Sequence, residues 1–136
     1  MPLIGSVIGT LTIRGSTDQV RHARKFVGRL LAERLDCDTA VLLTSEIVTN
    51  AILHSRSSNG GEVVITVLSQ GQVVRVEVRD HGSDKASVPC PRSEVSDLDN
   101  SGRGLLIVEE LASSWGCDHG ADATVTWFEL NGAARP

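Results

Sequence analysis

The stretch Leu42–Ser55, LLTSEIVTNAILHS, is the tightest constraint in the chain. Read as a helix, it places Glu46, Asn50 and His54 at steps of four along one stripe. Side chains at that spacing point the same way. Leu43, Ile47 and Ala51, with Leu42, Val48 and Ile52 beside them, make the remaining faces apolar. A helix that is apolar on most sides is buried. An acid and a carboxamide on such a helix are costly unless something pairs them. Two environments meet that need. One is a pocket holding a hydrated cation and phosphates. The other is a solvated stripe with both groups satisfied locally. Short polar patterns recur by chance, so this helix alone favours the second, and the rest of the chain decides.

At 136 residues the sequence predicts one domain over 1–136, long enough to bury a core without disulfides. That core must be aliphatic, because the only aromatics are Phe26, Trp115, Trp127 and Phe128. The formal net charge is -4, and no long Lys/Arg block occurs, so direct binding to nucleic acid is not expected. Cys37, Cys90 and Cys117 are an odd number at wide spacings without a CxxC. That argues against a zinc site or a disulfide framework and for a cytoplasmic setting. A secretory leader pattern is absent, and no apolar run reaches the ~20 residues of a membrane span.

The chain then reads in order. Residues 3–14 are strand-like, with Gly5 and Gly9 weakening the first half. Ser16 or Thr17 caps a helix over Gln19–Leu35, whose apolar stripe is Val20, Ala23, Phe26, Val27, Leu30, Leu31 and Leu35. Arg21, Arg24, Lys25 and Arg29 lie mostly off that stripe and read as a solvated face, or as a partner surface. Asp36-Cys37-Asp38 separates this helix from the next, with Asp38 as the expected cap. Breakers at 56–61 lead to a strand at Glu62–Ser69, a turn at 70–72 and a strand at Val73–Arg79. In the latter, Val74, Val76 and Val78 alternate with Arg75, Glu77 and Arg79, the mark of an antiparallel hairpin with one wet face. Residues 83–101 have Pro89, Pro91 and little periodicity, and a connection that long reads as a lid or binding loop. Gly102-Arg103-Gly104 reads as a glycine turn opening a helix that Trp115-Gly116 stops, before a closing hairpin over 117–130 and a frayed tail.

Three junctions now fall into a set. Glu46 and Asn50 sit on a helix, Asp80 and Gly82 at a strand end, and Gly102 and Gly104 at a helix start. Each suits one need of a nucleotide. Phosphates take bare backbone N–H groups at a glycine-rich helix N-terminus. Magnesium takes oxygen ligands and few from protein, of which Asn50 offers one. A purine amino group needs an acceptor in an apolar slot, which Asp80 offers. Arg103 suits a terminal phosphate, or stays a solvated loop arginine. Taken singly these signals are weak. Ile107 stands where the third glycine of a dinucleotide fingerprint would be, and GxxxxGK[ST] and HExxH are absent.

In this order the motifs resemble a family. Ser45-Glu46-Ile47-Val48-Thr49-Asn50-Ala51-Ile52-Leu53-His54, Asp80-His81-Gly82 and Ser101-Gly102-Arg103-Gly104-Leu105 are similar to the three boxes of the GHKL ATPase superfamily, shared by gyrase and histidine kinases. The length, the opening strand and helix, and the Trp115-Gly116…Val125-Thr126-Trp127-Phe128 ending look closest to the anti-sigma-factor serine kinases of actinobacteria. The resemblance covers about residues 10–130. It implies an α+β two-layer sandwich, the Bergerat-type ATP-binding fold, in which a mixed, mostly antiparallel sheet carries helices on one face. It implies ATP and Mg2+ as cofactors. It implies Asn50 as the magnesium ligand and Glu46 as the general base. Asp80 is the expected adenine contact, and Gly82, Gly102 and Gly104 the pocket and phosphate residues. The implied substrate is a serine on a small STAS-type anti-sigma-factor antagonist, with a sigma factor as the competing partner and a homodimer as a common assembly.

After Gly82 the family usually continues with glycine or proline, whereas this chain has Ser83-Asp84-Lys85. Two hypotheses therefore compete: an ATP-dependent serine kinase that also sequesters a sigma factor, and a non-catalytic ATP-binding regulator that acts by contact. His54 reads as structural or at the pocket edge, and Cys90 as a thiol within the lid.

Overall fold

The computed structural model describes the backbone of residues 5–54, 61–80, 100–120 and 123–131, and their side chains apart from 54 and 100–105. The predicted calls on His81, Gly82, the lid at 83–99, Cys90 and the tail lie outside the described residues. In chain order the elements are β1 (Ser6–Arg14), a short 3-10 turn (Thr17–Gln19), α1 (Val20–Leu30), α2 (Cys37–His54), β2 (Glu62–Gln70), β3 (Val73–Asp80), α3 (Asn100–Leu111), β4 (Ser114–His119) and β5 (Thr124–Asn131). The five strands form one sheet in the order β1-β2-β3-β5-β4. The mostly antiparallel sheet expected is found, and every pairing among the described residues is antiparallel.

Period-two patterning decides which face the helices cover. Ile65 and Val67 on β2, Val74, Val76 and Val78 on β3, and Phe128 and Leu130 on β5 are buried together. Cross-strand register aligns them: Ile65 with Val78, Val67 with Val76, and Val76 with Phe128. Onto this face α2 lays Leu43, Ile47, Val48, Ala51 and Ile52, all buried as its sequence predicts. Leu42, expected in the apolar set, is 40% exposed, because it turns toward the side of α2 away from the sheet. Helix α1 adds Ala23 and Val27, and Leu31 follows just past its end. Gly9 on β1 gives α1 room: a Cβ there would lie 2.6 Å from Leu30 Cδ1 and 3.1 Å from Phe26 Cζ.

Several local expectations are corrected. Helix α1 ends at Leu30, not Leu35, and Leu35 is exposed in the turn that follows. That turn has its own anchors. The Arg34 guanidinium pairs with Asp36 at 3.0 Å and donates to the Gln72 carbonyl at 2.6 Å, tying the turn to the β2–β3 hairpin. Ser16 occupies the N-cap of the 3-10 turn without capping a backbone N–H. Its hydroxyl instead donates to Asp18, and that bond holds the Asp18 carboxyl below its ordinary value. Helix α2 starts at Cys37, which puts Asp38 in its first turn rather than at its cap. There the acid still complements the helix dipole. Trp115 and Gly116 do not stop α3; they are strand residues of β4 opposite Phe128 and Trp127.

The uncovered face is not simply wet. Arg75 belongs to it by register yet is only 6% exposed. Its guanidinium lies 4.0 Å from the centroid of the Trp127 ring, a favourable cation–π distance. It also pairs with Glu77 at 2.7 Å and Glu129 at 2.9 Å. Gly116 is the floor under the Trp127 ring, since a Cβ there would stand 2.6 Å from Cζ2 and 2.8 Å from Cε2. A rigid indole cannot yield cheaply. Gly116→Ala should therefore lower stability by about 1–3 kcal/mol and shift tryptophan emission, as read by fluorescence-monitored urea unfolding.

Candidate functional site

Helix α2 crosses over β3, and α3 packs along α2. Glu46 and Asn50 stand one turn apart on α2, and Asp80 is the last residue of β3. Asn50 is 3% exposed, and its Oδ1 is buried without a hydrogen-bond partner among the described residues. An orphaned carbonyl-type oxygen in an apolar helix is expensive. It is also the donor a hard divalent cation takes. Thr44 Oγ1, one and a half turns earlier, is buried and unpartnered in the same way, but it lies on the Val48 side of the helix and not on the Glu46 stripe.

Glu46 is half-buried one turn before Asn50. Desolvation raises its carboxyl above the ordinary glutamate value, the direction that suits a general base. Asp80 is 4% exposed. The antiparallel register sets it directly beside Thr124 of β5, which is 2% exposed, so a carboxylate and a hydroxyl share a buried spot at the sheet's end. Thr124 was not singled out by sequence reasoning. The available signal was the alternation of Thr124, Thr126 and Phe128, which assigns all three to one face, but the sequence alone does not pair β5 with the end of β3.

The glycine motif is placed differently from expectation. Helix α3 begins at Asn100, so Gly102, Arg103 and Gly104 lie within its first turns and not in a turn before it. Only the first few N–H groups of a helix lack an intrahelical acceptor. Gly102 falls at the end of that set and Gly104 inside the ladder. Among the described residues no group of three or more His, Cys, Asp or Glu could hold a metal ion. A concavity of about 560 Å3 opens on the uncovered face, lined by Glu62, Val64, Thr66, Glu77, Arg79, Asp80, Ala123 and Val125, so that it shares Asp80 with the candidate site. It does not include Glu46 or Asn50. No described helix is long and apolar enough to cross a membrane.

Comparison with known proteins bears on the family and the fold. Residues 13–130 match the histidine kinase-like ATPase domain family. Anti-sigma F factor of Clostridium acetobutylicum is 34% identical over 81 residues, 56% of each chain. That of Anoxybacillus flavithermus is 36% identical over 74 residues, 51% of each. That of Bacillus cereus is 30% identical over 96 residues, 66% of this chain and 65% of the relative. The chain thus spans between half and two thirds of the curated relatives it matches. In structure, the RsbU and RsbW domains of Rv1364c from Mycobacterium tuberculosis superpose with a TM-score of 0.68 at 24% identity, over 94% of this chain and 33% of that one. A histidine kinase domain from Erythrobacter litoralis EL346 gives 0.52 at 17%, over 85% and 60%. Both likenesses concern the fold.

Two measurements check the site. The raised Glu46 carboxyl means that the folded state holds this proton more tightly than the unfolded chain does. The associated stability is present at low pH and lost as pH rises through the folded value. Glu46→Gln should therefore be more stable than the parent at neutral pH. The two should converge below the ordinary glutamate range in a series of thermal melts. Asn50→Leu removes an unpaired buried oxygen. Without nucleotide its unfolding midpoint in urea should match or exceed the parent's, while magnesium-dependent nucleotide binding by calorimetry is lost.

Proposed function

The chain belongs to the histidine kinase-like ATPase domain family, and on that footing we propose that it is an ATP-dependent protein serine kinase that doubles as an anti-sigma factor. Its substrate would be a serine on a small STAS-type antagonist, and a sigma factor its alternative partner in the cytoplasm. The observation that carries this reading is the pairing on one helical stripe of Glu46, with its raised carboxyl, and Asn50, with its unpaired buried Oδ1. The likeness to anti-sigma F factors supports it.

Asp80, buried at the end of β3, accepts a hydrogen bond from the adenine amino group, and Thr124 completes the same slot. Asn50 Oδ1 would hold Mg2+, which would supply charge neutralisation for the phosphates. Gly102 offers a backbone N–H to a phosphate, Gly104 lets α3 come close, Arg103 pairs with the terminal phosphate, and Gly82 shapes the pocket wall. Glu46 would take the proton of the serine hydroxyl as its oxygen bonds to the terminal phosphorus and the bond from that phosphorus to the bridging oxygen breaks, giving phosphoserine and ADP. β1 is an edge strand with Val7 59% and Ile8 40% exposed, and such an edge suits a homodimer.

The test is incubation of the purified chain with labelled ATP and the STAS-type protein encoded nearest to it. Label should appear on serine. Glu46→Gln should cut the rate by about 10²–10⁴-fold while calorimetry still shows ATP binding. One observation favours the second reading, an ATP-binding regulator without catalysis: Ser83-Asp84-Lys85 follows Gly82 where the family has glycine or proline. In that case ATP binds, no label is transferred, and Glu46→Gln leaves partner binding unchanged.

A further inference from the structure

A molecule that reaches Glu46 from solvent also touches the residues beside it on the helix surface. Residues three and four positions away are those neighbours, here Leu42, Leu43, Thr49 and Asn50. Leu43 and Asn50 are buried, whereas Leu42 is 40% exposed and Thr49 half-buried. One turn beyond Thr49 stands Leu53, 53% exposed. Positions 42, 46, 49 and 53 follow the i, i+4, i+7, i+11 spacing and so make one stripe. Helix α2 therefore has a second, narrower strip on its outer side, with the candidate base between two exposed leucines.

Single exposed leucines are ordinary on a protein surface. Two facts set this pair apart. Folding does not call for them, because Leu, Lys, Gln and Glu are about equally good helix formers at exposed positions, and the buried face of α2 already makes the seam with the sheet. The pair also brackets Glu46, with Leu42 one turn before it and Leu53 two turns after. We propose that Leu42 and Leu53 are positioning residues that dock the protein substrate, taking apolar side chains on either side of the phosphoacceptor serine while its hydroxyl meets Glu46. This rests on the kinase reading above.

The dimensions fix what the strip takes. Eleven positions at 1.5 Å rise put the two leucines roughly 16 Å apart along the helix axis. An extended segment covers that span in about five residues. The occupant is thus a short extended stretch with the serine inside it and an apolar residue towards each end. An acidic residue next to the serine is disfavoured, because an ionised Glu46 repels it. Contact with the leucines is the same before and during transfer of the phosphoryl group. Binding of that uniform kind lowers KM and leaves kcat alone.

The experiment follows transfer of labelled phosphate from magnesium-ATP to the STAS-type protein encoded nearest to the chain. It compares the parent, Leu42→Gln, Leu53→Gln, the double variant and Leu35→Gln. Leu35 is 60% exposed but stands in the turn before α2, off the strip, so it reports what the loss of any surface leucine does. Each strip variant should raise KM for the protein substrate about tenfold, with kcat and the KM for ATP at the parent's values. Leu35→Gln should match the parent. The phosphoserine, located by mass spectrometry, should lie between apolar residues about five positions apart. The proposal is overturned if the double variant keeps the parent's KM for the protein substrate, or if Leu35→Gln raises it equally. It is also overturned if the strip variants lower kcat at unchanged KM, which marks disturbed chemistry and not docking. A double variant that changes the oligomeric state of the chain at the parent's KM makes a second copy the occupant, and again the proposal falls. A parent that transfers no label to serine overturns the kinase reading itself, and this inference with it.

Discussion

The seating of α2 on the valine face of β2 and β3 is the contact on which the rest of the structure depends. Leu43, Ile47, Val48, Ala51 and Ile52 from the helix and Ile65, Val67, Val74, Val76 and Val78 from the strands exclude water from both sides of one seam. Each such side chain contributes roughly 1.5–3 kcal/mol on burial, a driving force that no single polar group in the chain approaches. Because the seam is aliphatic and extensive, the helix can carry an acid and a carboxamide on its remaining stripe at tolerable cost. Glu46 and Asn50 are thus by-products of position: they stand on the stripe of α2 that its apolar residues leave over.

The same seam sets the electrostatics. Packing that removes water from α2 is what raises the Glu46 carboxyl and leaves the Asn50 oxygen unpartnered. Structures tend to avoid such groups, and here two of them stand one helical turn apart, a cost in stability that the proposed nucleotide site would offset.

How far this was legible in the sequence varies with the range of the interaction. The α2 stripe and the Val74/Val76/Val78 alternation are local periodicities, and the structure has both as read. The ends of α1 and α3 were less legible. Leu35 continues the apolar spacing of α1, but the Arg34 tie to Asp36 and the Gln72 carbonyl competes with the helix and wins. Trp115-Gly116 looked like a helix stop, yet Gly116 is there to make room for an indole from the next strand. The pairing of Asp80 with Thr124 joins residues 44 positions apart, and no local pattern announces it. Residue identity therefore pointed to Asp80 but not to the hydroxyl of Thr124 beside it.

The Arg75 cluster has a consequence for the opposite side of the sheet. Arg75 stands on β3, while Trp127 and Glu129 stand on β5. A planar cation clamped between a ring and a carboxylate of the neighbouring strand acts as a cross-brace against sliding of β3 along β5. Those are the two strands whose ends carry Asp80 and Thr124. The spacing of Asp80 and Thr124 is thereby gauged from behind, by residues on the opposite face of the sheet, and a drift in that brace would shift their separation without altering either side chain.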